Sequence, residues 1–172
     1  MTLTLDELAR RVQRLEDLAE IRALKARYLR GCDLKLPEVV RDTLAPEGAT
    51  IAYDGFPAFN DRDAFVKIFQ EMGCVPGIFD IHHATNAELE LTSQDEATGA
   101  WSLNFQSINL AAKTVTQMGV EYQDRYIRKD GRWWISQTKT KRTSCIIHQV
   151  DTEGYPQIVA MGDAPDNYGD AS

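Results

Sequence analysis

Trp101-Ser102-Leu103-Asn104-Phe105-Gln106 places a large apolar side chain at every second position and a small or polar one between, as a half-buried strand does. The same two-residue period runs through four long β-rich segments, 79–91, 97–111, 113–129 and 132–147. Ser93-Gln94-Asp95-Glu96, a short turn near Ala112 and Lys129-Asp130-Gly131 separate them, and Asp-Gly between strands is a strong hairpin signal. Upstream the period is helical. Leu5, Leu8, Val12, Leu15, Leu18 and Ile21 recur at steps of three and four, one face of a helix. A second stretch runs from Asp17 through Leu24, Tyr28 and Cys32, with Gly31 near its end. Pro37 suits the first turn of a short third helix over 38–44, which Pro46 helps to end. Residues 50–53 are β-rich, Asp54-Gly55 is a turn, and Asp61 is an N-cap for a helix carrying Phe65, Ile68, Phe69 and Met72.

Helices first and meandering strands afterwards predict an α+β domain, not a parallel α/β sheet. Long antiparallel strands twist and curl. A curled sheet with helices on its concave face encloses an interior. The expected layout is one domain over residues 1–150, then a polar tail over 151–172 that either packs on a neighbouring subunit or frays.

The 172 residues suit one domain. A net charge of −7 argues against a general nucleic-acid binder, because an acidic surface repels phosphates. The basic run Lys139, Lys141, Arg142 reads as a solvated strand edge. No window approaches the ~18 apolar residues that cross a bilayer, and the charged N-terminus lacks an apolar signal core. No membrane association and a cytoplasmic location are therefore expected. Cys32, Cys74 and Cys145 lack CxxC spacing and fit free thiols in a reducing compartment. No nucleotide or serine-hydrolase motif is present. His82 and His83 are adjacent, so on a strand they point to opposite faces and do not share a metal ion. No metal site and no cofactor are expected.

Acid–base chemistry is what remains. Histidine titrates near neutrality and moves a proton in either direction, and His82, His83 and His148 are the only three. The everyday alternative for each is a half-buried ring bonded to backbone. Asp33 follows the end of the long helix, where a carboxylate meets the negative end of the dipole. A partner such as a protonated histidine would make sense of it; a solvent-exposed loop aspartate is the alternative. Tyr28, five residues earlier, lies roughly on the same side, with core packing as its alternative. Unbroken alternation groups His82 with Asn86, Glu88 and Glu90, and His83 with Leu89 and Leu91. On periodicity alone His83 faces the core.

Three segments together, Tyr28–Asp33 (YLRGCD), Ile81–Leu91 (IHHATNAELEL) and Tyr122–Ser136 (YQDRYIRKDGRWWIS), resemble the SnoaL-like branch of the nuclear-transport-factor-2-like superfamily. That branch includes scytalone dehydratase, bile-acid dehydratase and hexachlorocyclohexane dehydrochlorinase. The similarity covers roughly residues 10–147. It implies a cone-shaped barrel of a strongly curved mixed sheet closed by N-terminal helices, with a cystatin-like fold. It also implies a cofactor-free lyase site, and homo-oligomers that are trimers or, as the alternative, dimers. Asp33 and His82 match the family's catalytic dyad, and Tyr28 matches a polar helper. His82 as the base requires a β-bulge between it and the leucines.

The resemblance implies catalytic roles for Asp33, His82 and Tyr28 on a small, largely apolar, cyclic or aromatic substrate. Tyr53, Phe56, Trp101, Phe105 and Met118 are the expected lining, with Ile51, Phe65 and Phe69. His83 and Thr138 are further candidate substrate contacts. Two departures stand out. The relatives' deep arginine in the last strand is replaced here by Ser136-Gln137-Thr138. Trp101 stands where scytalone dehydratase has a second histidine. Three functions compete: a dehydratase-like lyase, an isomerase or cyclase, and a non-catalytic binding or assembly module. The last predicts Asp33 and His82 far apart or exposed.

Overall fold

The computed structural model describes residues 3–162. Helix α1 (Leu5–Asp33) is one continuous helix of 29 residues. The two helical stretches read from the sequence are its outer and inner parts. Thr4 and Glu7 form a capping box at its start, which satisfies two of the otherwise unpaired N–H groups. Helix α2 (Pro37–Arg41) and strand β1 (Thr50–Ala52) follow. Helix α3 (Arg62–Ile68) begins on Asp61, whose carboxylate accepts from the Ala64 N–H at 2.8 Å. A π-helical turn continues it over Phe69–Gly73.

The sheet holds β2 (Ile78–Leu91), β3 (Glu96–Asn109), β4 (Thr114–Lys129), β5 (Arg132–Val150) and β6 (Pro156–Gly162). Its order is β1-β5-β4-β3-β2, antiparallel throughout except that β1 runs parallel to β5. The architecture is the expected α+β, with α1 packed across a curved mixed sheet. Residues 156–162, expected within a polar tail, instead pair with Cys145–Val150 as a sixth strand. The 19-residue β5 is long enough to hold β1 on one stretch and β6 on another. The rest of that expected tail, 163–172, lies outside the described residues.

Three bulges decide which residues face inward. In β2 the pairing slips between Thr85 and Glu88, and Asn86 takes a left-handed φ of 51°. This is the bulge that the His82 reading requires. Before it His82 and Ala84 face in; after it Ala87, Leu89 and Leu91 do. In β5 the pairing slips at Ser136 and again at Thr143. The inward set therefore runs Trp133, Ile135, then Thr138, Thr140, Arg142, then Cys145. Each bulge adds one residue to one strand and reverses the alternation beyond it.

Only the inner part of α1 joins the core. Ile21, Leu24, Tyr28 and Leu29 are buried with Val40, Leu44, Ile51, Tyr126 and Ile135. Leu5, Leu8, Val12 and Leu15 share a helix face as their spacing predicts, but that face is exposed, not packed on the sheet. At the inner end of the barrel Lys25 and Asp124 form an ion pair at 2.8 Å with both side chains withdrawn from solvent. The Tyr126 hydroxyl donates to Asp124 at 2.8 Å, and the Trp101 indole N–H donates to Tyr126 at 3.0 Å. Lys25 Nζ also sits 3.4 Å from the Tyr122 ring centre, a close cation–π contact.

Candidate active site

Strand β2 is an edge of the sheet, so N–H groups on its outer side need partners from elsewhere. The end of α1 supplies one. Asp33 Oδ2 accepts from the His82 backbone N–H at 3.3 Å, and Asp33 Oδ1 lies 2.6 Å from His82 Nδ1. A carboxylate only accepts, so Nδ1 carries the proton in this contact. One carboxylate thus holds both the strand and the ring. Lys35, just beyond the helix, ion-pairs with Asp80 two residues upstream of His82, a second tie between the same elements. The ring stacks at a tilt on Phe105, centres 4.8 Å apart. With Nδ1 engaged, Nε2 is the nitrogen left for chemistry.

His82 lines a cavity of about 320 Å³. Its walls include Tyr28, Ile51, Tyr53, Phe65, Phe69, Leu103, Phe105, Met118, Val120 and Tyr122, with Phe56 half exposed toward the mouth. Such a size and apolar lining suit a small organic molecule. Two phenols interrupt the apolar wall: the Tyr28 and Tyr53 hydroxyls hydrogen-bond to each other. Burial first, and then the neighbouring Tyr53, holds the Tyr28 phenol well above its ordinary range. Burial does the same to Tyr53 and Tyr122. Burial also pushes the Cys32 thiol up to about 12, which keeps it protonated and a poor nucleophile.

Of the residues expected at the site, Asp33 and His82 are in contact. Tyr28, Tyr53, Phe56, Phe105 and Met118 share the cavity. Three others lie elsewhere. His83 points to the exposed outer face of β2, as strand alternation requires once His82 faces in. Trp101 is buried beyond the cavity with its indole committed to Tyr126. Thr138 is fully buried opposite Ile51, in the sheet rather than on the cavity wall.

Arg142, expected on a solvated strand edge, is instead part of the cavity wall with its side chain 9% exposed. Its backbone N–H donates to Asp54 Oδ2 at 3.0 Å, and its guanidinium pairs with the same carboxylate. The guanidinium packs on Gly55, where an added Cβ would lie 3.2 Å from Cζ. The Arg142 backbone N–H, and next its guanidinium, hold Asp54 below the ordinary carboxylate range. Straight alternation from Trp133 and Ile135 puts Arg142 outside; the Ser136 bulge brings it in. Lys139 and Lys141 are exposed, as the sequence suggests.

A helix-braced curved sheet around an apolar cavity, with an aspartate–histidine contact at its wall, defines a class of α+β barrels. The SnoaL-like domain model matches residues 13–139, and the chain belongs to that family. Several solved structures share the fold. A hexachlorocyclohexane dehydrochlorinase of type 2 is 20% identical, with a TM-score of 0.70 over 90% of this chain and 97% of its own. A putative scytalone dehydratase from Novosphingobium aromaticivorans is 17% identical, with a TM-score of 0.71 over 88% and 94%. A nuclear-transport-factor-2-like protein with a cystatin-like fold, also from Novosphingobium aromaticivorans, is 20% identical, with a TM-score of 0.67 over 81% and 90%. Among the described residues no helix is long and apolar enough to cross a membrane.

Proposed function

We propose that the chain is a cofactor-independent, dehydratase-like lyase acting on a small, largely apolar cyclic or aromatic substrate. The observation that carries this is the 2.6 Å contact between Asp33 and the ring of a histidine that lines the cavity. Asp33 holds His82 in the tautomer with Nδ1 protonated, so Nε2 presents its lone pair as a base. His82 takes a proton from carbon beside an electron-withdrawing group, and Asp33 stabilises the imidazolium that forms. The Tyr28–Tyr53 pair supplies the opposite function. Two phenols carry two protons and their mutual bond uses one. The second, which has Thr138 and Tyr122 beside Tyr53 and Cys32 beside Tyr28 as neighbours, turns to donate to a developing oxyanion or a leaving hydroxyl. Their raised pKa values keep both protonated at neutral pH. Proton removal followed by departure of the hydroxyl as water gives the unsaturated product.

An isomerase or cyclase would use the same base and return the proton to another carbon, so the product mass separates the two readings. A binding or assembly module is disfavoured by the contact between Asp33 and His82 at an apolar cavity. The family reading makes the enzyme a homo-oligomer, a trimer or alternatively a dimer, and the free thiols Cys32, Cys74 and Cys145 suit a cytoplasmic location. The test is a screen of small cyclic hydroxy-carbonyl compounds read by mass spectrometry. Loss of water or acid marks the lyase, and unchanged mass marks the isomerase. His82→Ala and Asp33→Asn should each lower turnover by about 10²–10⁴-fold with the circular dichroism spectrum intact. Near-wild-type turnover in either folded variant overturns the dyad.

A further inference from the structure

The first three turns of α1 are amphipathic in the wrong sense for their own domain. Toward the body, around a groove beside Leu91, Ser93 and Gln94, the helix presents Glu7, Arg10, Arg14 and Asp17, with Arg11 on the groove's rim between this face and the outer one. Away from it stand Leu5 at 85% exposure, Leu8 at 49%, Val12 at 45% and Leu15 at 67%. At roughly 100° per residue these four cluster on one stripe. That stripe lies about opposite the one with which Ile21, Leu24 and Tyr28 enter the core. The spacing 5, 8, 12, 15 alternates three and four, the a and d positions of a heptad seam. An exposed seam of this kind calls for an apolar partner.

We infer that this segment pairs in parallel and in register with the same segment of a second copy of the chain. The charges flanking the seam choose the occupant and its direction. With Leu5 and Val12 at a, Arg11 falls at g and Glu16 at e. In a parallel pair the g residue of one helix meets the e residue of the next heptad on the other, so Arg11 meets Glu16 of the second copy in each direction. An antiparallel pair sets g against g and e against e. The g set is Thr4, Arg11 and Leu18 and the e set is Ala9 and Glu16, neither of which offers an opposite-charge contact. The seam ends where Ile21 is drawn into the body, so about three helical turns are available for the contact. Symmetric copies meeting along parallel helices give a closed assembly. This inference does not depend on the proposed reaction.

Cross-linking of the full-length protein tests it. Leu8→Cys places a thiol at d, where in-register copies bring it against itself. Arg10→Cys places one at f, pointing away from the seam. Cys32 and Cys145 are buried and Cys74 is half-buried, so the wild-type chain sets the background. With a short bis-maleimide, Leu8→Cys should form covalent dimer at least tenfold faster than Arg10→Cys. Leu8→Glu/Val12→Glu, on a face outside the core, should keep the helical circular dichroism and lower the assembled mass in sedimentation. Equal cross-linking rates overturn the inference, as does a wild-type chain that sediments as a monomer at tens of micromolar. Faster cross-linking of Leu5→Cys to Leu15→Cys than of Leu8→Cys to itself overturns the parallel arrangement.

Discussion

Replacing Lys25 by methionine removes one charge and nearly preserves volume, so its effect isolates the buried ion pair. Nζ lies 2.8 Å from Asp124 Oδ2 with both side chains out of solvent. Burial lowers the Lys25 pKa below the ordinary lysine range, opposed by the attraction of Asp124. Lys25→Met leaves the Asp124 carboxylate with the Tyr126 hydroxyl and no counter-charge. Breaking a buried pair from one side costs about 3–5 kcal/mol. With a urea slope of about 2 kcal/mol per molar, the unfolding midpoint should fall by about 1.5–2.5 M. The buried Trp101 and Trp133 report the transition by fluorescence. Lys25→Met/Asp124→Leu removes both charges and should recover much of the loss, since two apolar side chains leave no charge stranded. A loss below about 1 kcal/mol in Lys25→Met refutes the reasoning, as does a double variant no more stable than the single one.

Alkaline titration probes the phenols. Burial raises the pKa of Tyr28, Tyr53, Tyr122 and Tyr126, whereas Tyr155 is exposed. The unfolded chain therefore releases these four protons first as pH rises through about 10, and folding stability should fall from there upward. In the native protein these phenols should ionise only with unfolding, seen as a cooperative rise in phenolate absorbance; a smooth titration of all tyrosines near pH 10 would contradict their burial. The β2 bulge gives a backbone test. Asn86→Gly at φ 51° should change stability by only a few tenths of a kcal/mol, whereas Asn86→Val should cost about 1–3 kcal/mol in urea unfolding. Equal effects would show that the left-handed conformation is not what selects asparagine there.

The elements were legible because their periods are long and uniform. Segments of 14 to 19 residues with alternating side chains identify strands, and Asp130-Gly131 announces its hairpin. The inward face was harder to read, because three bulges each invert it. The β2 bulge leaves one trace in the sequence, an asparagine, which tolerates φ > 0 better than most residues. The bulges at Ser136 and Thr143 leave no comparable trace, so Arg142 read as solvent-facing. Trp101 and Thr138 misled for a different reason. Both are inward-facing, Trp101 by plain alternation and Thr138 only through the Ser136 bulge, but inward includes a packed end as well as a cavity. Which end a residue occupies depends on its distance along a tilted strand, which pattern does not encode. Leu5 to Leu15 misled because a helical stripe says which residues share a face and nothing about what covers it.

Helix α1 ties these features together, because one rigid rod carries the exposed apolar stripe, the buried ion pair and Asp33. Asp17 pairs with Arg128, and the Trp133 indole N–H lies 3.4 Å from its carboxylate. Two turns on, Lys25 meets Asp124. These polar contacts lie on the sheet side of the helix, and each has its partner at one register of β4 or β5. Apolar packing tolerates a small rotation of a helix, since one leucine contact replaces another. A directed ion pair does not, because a rotation by one residue, roughly 100°, carries Lys25 away from Asp124 and strands both charges. The buried pair thereby sets the helix phase, and the same phase delivers Tyr28 to Tyr53 and Asp33 to His82. A core polar cluster packed under the cavity wall, with Lys25 against the rings of Tyr28 and Tyr122, thus helps a 29-residue helix to place a carboxylate within 2.6 Å of one ring nitrogen.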